Sequence, residues 1–160
     1  MDGRVHIPVG FLACLVIYIL TYYYFDNGDT FSLLFFGVVG STFPDLDHML
    51  HRHRDCFTHS ALFPFLTIIY MLFWNQGRYY DVFFFTLAYG LHLLLDLKIK
   101  SKGKMGTYCI VKPGFVKRKK KNKNAEELGL DRMTAKNTDK WLGLNTISCF
   151  VACILLYLLF

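Results

Sequence analysis

Apolar residues in this chain are gathered into blocks separated by short polar connections, with little strict alternation. Five blocks can be drawn. Residues 6–25, HIPVGFLACLVIYILTYYYF, match the roughly 20 apolar residues needed to cross a bilayer core. Pro8 fits the first turn of that helix, where a missing N–H costs little. Tyr22, Tyr23 and Tyr24 suit an interfacial belt. The run is long for a signal peptide, and no small-residue cleavage site follows it. Residues 31–43, FSLLFFGVVGSTF, predict a shorter helix, tilted or half-inserted, that Pro44 ends or kinks. A third block covers 58–74, with Thr58 placed as its N-cap. The fourth is YDVFFFTLAYGLHLLLDL, 80–97, and the fifth is WLGLNTISCFVACILLYLLF, 141–160. The fold expected is all-α: an integral membrane helical bundle with four or five transmembrane spans. Gly37, Gly40 and Gly90 are expected to let helices approach closely.

Composition agrees with this pattern. Of 160 residues, 54% are hydrophobic, above the roughly 45–50% of soluble domains. Of the five cysteines, Cys14, Cys149 and Cys153 fall inside apolar runs, and no two cysteines are spaced C-x-x-C. A disulfide framework and a zinc finger are both disfavoured. The net charge of +6 would ordinarily raise nucleic acid as a partner, but eleven of the eighteen Lys and Arg lie between Lys98 and Lys123. A basic connection beside a helix end is better explained by topology and by anionic lipid headgroups. Arg4, the 44–57 connection and the 98–140 connection carry the basic residues, whereas 26–30 and 75–79 carry almost none. That alternation puts the N-terminus and both basic connections on the cytoplasmic side. His6, the 44–57 connection and the end of the fourth span then meet at one membrane face.

This is the face where the chemistry gathers. Residues 43–60, FPDLDHMLHRHRDCFTHS, hold four of the six histidines. His92 and Asp96, in GLHLLLD, are spaced i, i+4 and share a helix face. Ionisable groups inside a span usually turn inward towards a partner. The pair reads either as two metal ligands or as a hydrogen-bonded staple. Asp45 and Asp47 lie near each other in a turning backbone, followed directly by His48. Carboxylates with imidazoles suit a divalent ion, Zn²⁺ first, with Mn²⁺ or Fe²⁺ as alternatives. Taken singly, either aspartate could be a turn or a helix cap. His59 enters the membrane at the start of the third block. Cys56 is a further ligand candidate, and His51 and His53 read as solvated. Arg52 and Arg54 match phosphate oxygens, or serve as inside-positive charge. Neither G-x-S-x-G nor H-E-x-x-H occurs, which argues against a serine hydrolase and a zincin protease.

Taken in order, these motifs resemble a family. His6 to Gly10 reads H-x-x-x-G, and Gly40 to His48 reads G-x-x-x-P-D-L-D-H. HRDCFTHS follows from His53, and His92 to Asp96 reads H-L-L-L-D. The set is similar to the YdjM-like family of membrane-bound metal-dependent hydrolases over roughly residues 6–115. Asp55 follows Arg54 where the family pattern has glycine. GTYCIVKPG, Gly106 to Gly114, is a loose version of a further family element. The family label also carries LexA binding, and no segment here specifies that partner. The resemblance implies a metal-dependent hydrolase, acting on a phosphoester or lipid headgroup. The organisation expected is a membrane-embedded domain at 1–115, a basic linker at 116–140 and a last helix at 141–160, of which the linker and the last helix are not carried by the resemblance.

The residues expected at the centre are His6, Asp45, Asp47, His59, His92 and Asp96, with His48 next. Asp45 or Asp47 would be the catalytic base, and Arg52 or Arg54 the phosphate holder. Membrane lipid is the expected partner. Two rivals remain at this stage: a non-enzymatic membrane protein with a structural metal or polar cluster, and a transporter. The transporter would need ionisable groups spread through the membrane depth, and here they crowd at one end.

Overall fold

A computed structural model describes residues 3–21, 30–50, 56–74, 79–98, 108–109, 131–132 and 135–159. Five α-helices account for most of them: α1 Gly3–Thr21, α2 Thr30–Thr42, α3 Leu62–Trp74, α4 Tyr79–Lys98 and α5 Ala135–Leu159. A 3-10 helix, Phe43–Leu50, continues directly from α2. The residue before a proline is steered out of the α region. Pro44 has no N–H to give the Gly40 carbonyl, so the α-helical ladder is interrupted where the 3-10 helix takes over. Two short strands, β1 Tyr108–Cys109 and β2 Asp131–Arg132, pair antiparallel with Tyr108 opposite Arg132.

Helix α4 is the axis. Every residue from Asp81 to Gly90 is buried, because α1, α2, α3 and α5 all pack on it. A helix apolar all round is stable only when surrounded in this way. Its first half meets Cys14 of α1, Met71 of α3, and Cys153 and Leu156 of α5. Its second half, from Phe85 through Tyr89 to Leu93, packs on Ala61 and on Leu142 and Cys149 of α5. Gly90 is where α5 comes closest: a Cβ there would lie 2.9 Å from the Cβ of Cys149. At Gly37, by contrast, an added Cβ would sit 3.4 Å from Cys14 Sγ, an ordinary contact, so the expectation of a forced close approach does not hold there.

The span count is corrected. Among the described residues, two helical stretches are long and apolar enough to cross a membrane, Tyr79–Leu97 and Asn137–Leu159, where four or five were expected. The apolar stretches Pro8–Leu20 and Leu62–Trp74 are shorter, and α2 has 13 residues. Helix α5 begins at Ala135, six residues before the predicted start at 141. It shows the inverted pattern of a lipid-facing helix. Leu144, Ile147, Val151, Ile154, Leu155 and Leu158 are exposed, while Leu142, Asn145, Cys149, Ala152 and Leu156 face inward.

Two local expectations also change. Pro8 lies inside α1 rather than in its first turn, because the helix starts at Gly3. Thr58 is not the N-cap of α3. Residues 56–61 form turns, and the helix starts at Leu62. Its first donor, the Leu62 N–H, reaches Ser60 Oγ at 3.3 Å, and the Phe65 N–H closes the first helical bond to Ala61 O at 3.0 Å. The tyrosines 22–24 and the lysine-rich 117–124 stretch lie outside the described residues.

Candidate metal centre

Three chain segments end at the same end of the bundle. The 3-10 helix that follows α2 brings Asp45, the turn before α3 brings His59, and the last turns of α4 bring His92 and Asp96. Both imidazoles and Asp96 are almost completely buried; the Asp45 side chain keeps 16% exposure.

His92 shows what the cluster is suited to. Its Nδ1 lies 2.7 Å from the Ser41 carbonyl oxygen. A carbonyl can only accept, so Nδ1 carries the hydrogen and Nε2 of the neutral ring presents a lone pair. That Nε2 faces Asp45 Oδ1 at 3.7 Å and Asp96 Oδ2 at 3.8 Å. Both separations exceed the roughly 2.7–3.2 Å of a direct N–H···O bond. A lone pair set against two carboxylates calls for a positive charge among them. A backbone carbonyl that fixes the imidazole tautomer from behind is the usual support of a metal-ligating histidine. The Nδ1 of His59 is 3.1 Å from Thr58 Oγ1, a hydroxyl that can donate or accept, and its Nε2 is 3.2 Å from Asp96 Oδ2. The two rings meet edge to face with centroids 5.6 Å apart.

Asp45, His59 and His92 each offer one ligand atom, and these atoms lie within 4.8 Å of one another. Ligands about 2.1 Å from a tetrahedral ion stand roughly 3.4 Å apart. Within the trio, His92 Nε2 and Asp45 Oδ1 stand 3.7 Å apart and all three ligand atoms lie within 4.8 Å of one another, so small shifts would bring them to that spacing. A buried carboxylate without a compensating cation is strongly disfavoured. The donor set, the tautomer and the spacing therefore fit a divalent ion, and this His/Asp cluster could hold one.

The supports behind these ligands come from close packing. A Cβ on Gly10 of α1 would lie 2.6 Å from Ser41 Cβ, so the glycine of the H-x-x-x-G motif leaves room for the residue that orients His92. Below the cluster, Phe43 packs on Phe63, Phe85 and Tyr89 with ring centroids 4.7, 5.9 and 6.4 Å away. These rings belong to the apolar core that Ala61, Leu93, Leu142 and Cys149 complete. The Tyr89 hydroxyl donates to the Thr58 carbonyl and ties the His59 turn to α4.

Of the predicted site residues, the fold brings together Asp45, His59, His92 and Asp96. His6 lies in α1, and Asp47 and His48 lie in the 3-10 helix, but their side chains fall outside the described residues. Arg52 and Arg54, with His51 and His53, fall outside them entirely. Cys56 is buried, yet it lines a neighbouring groove and is not part of the ligand trio. Ser41, Tyr89 and Asn145 were not anticipated. Ser41 acts through its backbone, which leaves no sequence signal. Asn145 had one: it is an amide in the apolar run WLGLNTISCF, and such residues commonly join helices.

An apolar helical bundle with spanning helices and a buried His/Asp cluster at one end defines a membrane protein with a candidate metal centre. A family model described as YdjM inner membrane protein matches residues 1–108, and the chain belongs to that family. The matched stretch contains α1 to α4 and all four clustered residues; α5 lies beyond it. No curated protein and no solved structure matches the chain.

Proposed function

We propose that this protein is a membrane-bound metal-dependent hydrolase that cleaves a phosphoester at the headgroup of a membrane lipid, on the cytoplasmic side. The observation that carries the reading is the asymmetry of exposure: the side chains of His59, His92 and Asp96 are at most 2% exposed, while that of Asp45 keeps 16%. A structural ion is enclosed by its ligands, whereas a catalytic one keeps an accessible position. A divalent ion at this centre, Zn²⁺ in the first instance and Mn²⁺ or Fe²⁺ otherwise, would polarise the substrate's phosphoryl oxygen and acidify water. Asp45, His59 and His92 would hold it, and Asp96 would balance the two imidazoles. Asp45, the more exposed of the two clustered carboxylates, would accept the proton of the attacking water, a role Asp47 could share. Arg52 and Arg54, in the connection between the 3-10 helix and the His59 turn, hold the substrate phosphate.

A lipid substrate is supported by the groove beside the centre. It has a volume of about 720 Å³ and lies between the start of α3 and α5, with Phe57, Ala61, Leu62, Phe65, Trp141 and Leu144 among its lining residues. That volume falls in the range of roughly 300–1,000 Å³ typical of ligand pockets. Its lining includes Ser60, next to His59, so an acyl chain lying there would leave its headgroup near the ligands. The basic 98–140 connection would hold the anionic membrane surface close.

The test is headgroup release from phosphatidylglycerol and phosphatidylethanolamine vesicles by Zn²⁺-loaded protein, followed by phosphorus NMR. Asp45→Asn is expected to lower the rate by about 100-fold or more, the usual contribution of a positioned base. Release by the parent no faster than by His92→Ala would overturn the hydrolase reading.

A further inference from the structure

We infer that Asn145, on a helix outside the family-matched region, is a positioning residue for His59. The side-chain amide of Asn145 is 8% exposed and bonds in two directions. Its Oδ1 accepts the Ala61 N–H at 2.8 Å, and its Nδ2 donates to the Trp141 carbonyl at 2.7 Å. The second bond locks the amide against its own helix, which leaves Oδ1 pointing at the turn. Ala61 is two residues after His59, and its carbonyl accepts the first helical bond of α3. The Ala61 N–H precedes the helical ladder, so it needs a partner from elsewhere.

The turn is held at three points. The Ser60 hydroxyl donates to the Phe57 carbonyl at 2.7 Å, inside the turn itself. The Tyr89 hydroxyl reaches the Thr58 carbonyl from α4. Asn145 supplies the third point, from α5, after the imidazole in sequence. His59 needs this because its Nε2 must reach Asp96 on a different helix, at 3.2 Å. Without the Asn145 bond, the buried Ala61 N–H loses its acceptor and the turn loses its tie to α5. His92 has no such dependence, since it rides within α4 and is oriented by Ser41 of α2. Asn145 therefore acts selectively on one of the two imidazoles.

This inference rests on His59 belonging to the proposed centre, but its test needs no metal. In metal-free, detergent-solubilised protein, ethoxyformylation of His59 and His92 by diethyl pyrocarbonate is followed by peptide mass spectrometry. Both imidazoles are buried and should react slowly in the parent. Asn145→Leu keeps the volume and removes the acceptor. It is expected to raise the His59 rate by about tenfold while His92 stays protected, which corresponds to roughly 1.4 kcal/mol of local opening. Asn145→Gln retains both the acceptor and the donor of the amide and is expected to keep His59 closer to the parental rate than Asn145→Leu does. The inference is overturned if Asn145→Leu leaves His59 protected. It is equally overturned if both histidines become reactive together, or if Asn145→Gln leaves His59 as reactive as Asn145→Leu does. A Zn²⁺ titration of the parent separately decides whether the centre binds metal, so a failure of that reading is distinguishable from a failure of this one.

Discussion

Gly40→Ala is expected to be among the most destabilising single-methyl substitutions in this bundle. A Cβ at Gly40 would lie 2.3 Å from the Phe85 carbonyl oxygen and 3.0 Å from the Phe85 carbonyl carbon and Cα. These are backbone atoms of α4, so no rotamer change can make room. Helices α2 and α4 must separate, and theirs is the most extensive helix pairing in the fold. Overpacking a core typically costs about 1–3 kcal/mol, and a backbone clash belongs at the upper end. The effect also reaches the metal centre. Ser41, next to Gly40, supplies the carbonyl that holds His92. Denaturant unfolding in detergent is expected to show a loss of about 3 kcal/mol. Gly37→Ala is the matched control, because an added Cβ there meets only Cys14 at 3.4 Å. Equal stability of the two variants would contradict the packing described for α2 and α4.

The second large effect is stabilisation by metal. A ligand that binds the folded state alone stabilises it by RT ln(1 + [L]/Kd), about 4 kcal/mol at a thousandfold excess over Kd. Zn²⁺ is therefore expected to raise the thermal unfolding midpoint of the parent by several degrees. His92→Ala should abolish the shift, because it removes one of the three ligands and opens the site behind Ser41. Asp96→Asn is expected to reduce the shift without abolishing it, since Asp96 lies beside the ligand trio and balances its imidazoles. A Zn²⁺-dependent rise in His92→Ala as large as in the parent would place the ion elsewhere.

Much of this arrangement was legible in the chain because its signals are local. The apolar block at 80–97 becomes α4, Tyr79–Lys98, and the block at 31–43 becomes α2, Thr30–Thr42. His92 and Asp96 share a face by helical geometry alone. Alternating short connections placed Asp45 and His59 at the same end as that pair, and the fold brings all four together. The rest depends on contacts that no local pattern encodes. The start of α3 was misplaced at Thr58, a good cap by residue type, because the turn at 56–61 is held by Tyr89 and Asn145 from other helices. The span count was overestimated because hydropathy marks the apolar stretches of α1 and α3, while crossing also requires length. Ser41 was overlooked because it contributes a carbonyl rather than a side chain. Gly40 was expected to let helices approach closely, but that Phe85 is the neighbour, and that Gly10 faces Ser41, becomes apparent only once α1, α2 and α4 are assembled.

The measurement that tests the central claim most directly is metal content by mass spectrometry on detergent-purified protein, with His59→Ala and His92→Ala beside the parent. Circular dichroism would confirm that each remains helical. The centre described here predicts one divalent ion per chain in the parent after Zn²⁺ or Mn²⁺ reconstitution, and loss of that ion in both variants. A folded parent that retains no ion would contradict it. Asp45, His59, His92 and Asp96 would then be a polar staple, with a proton on an imidazole supplying the charge that the buried carboxylate requires.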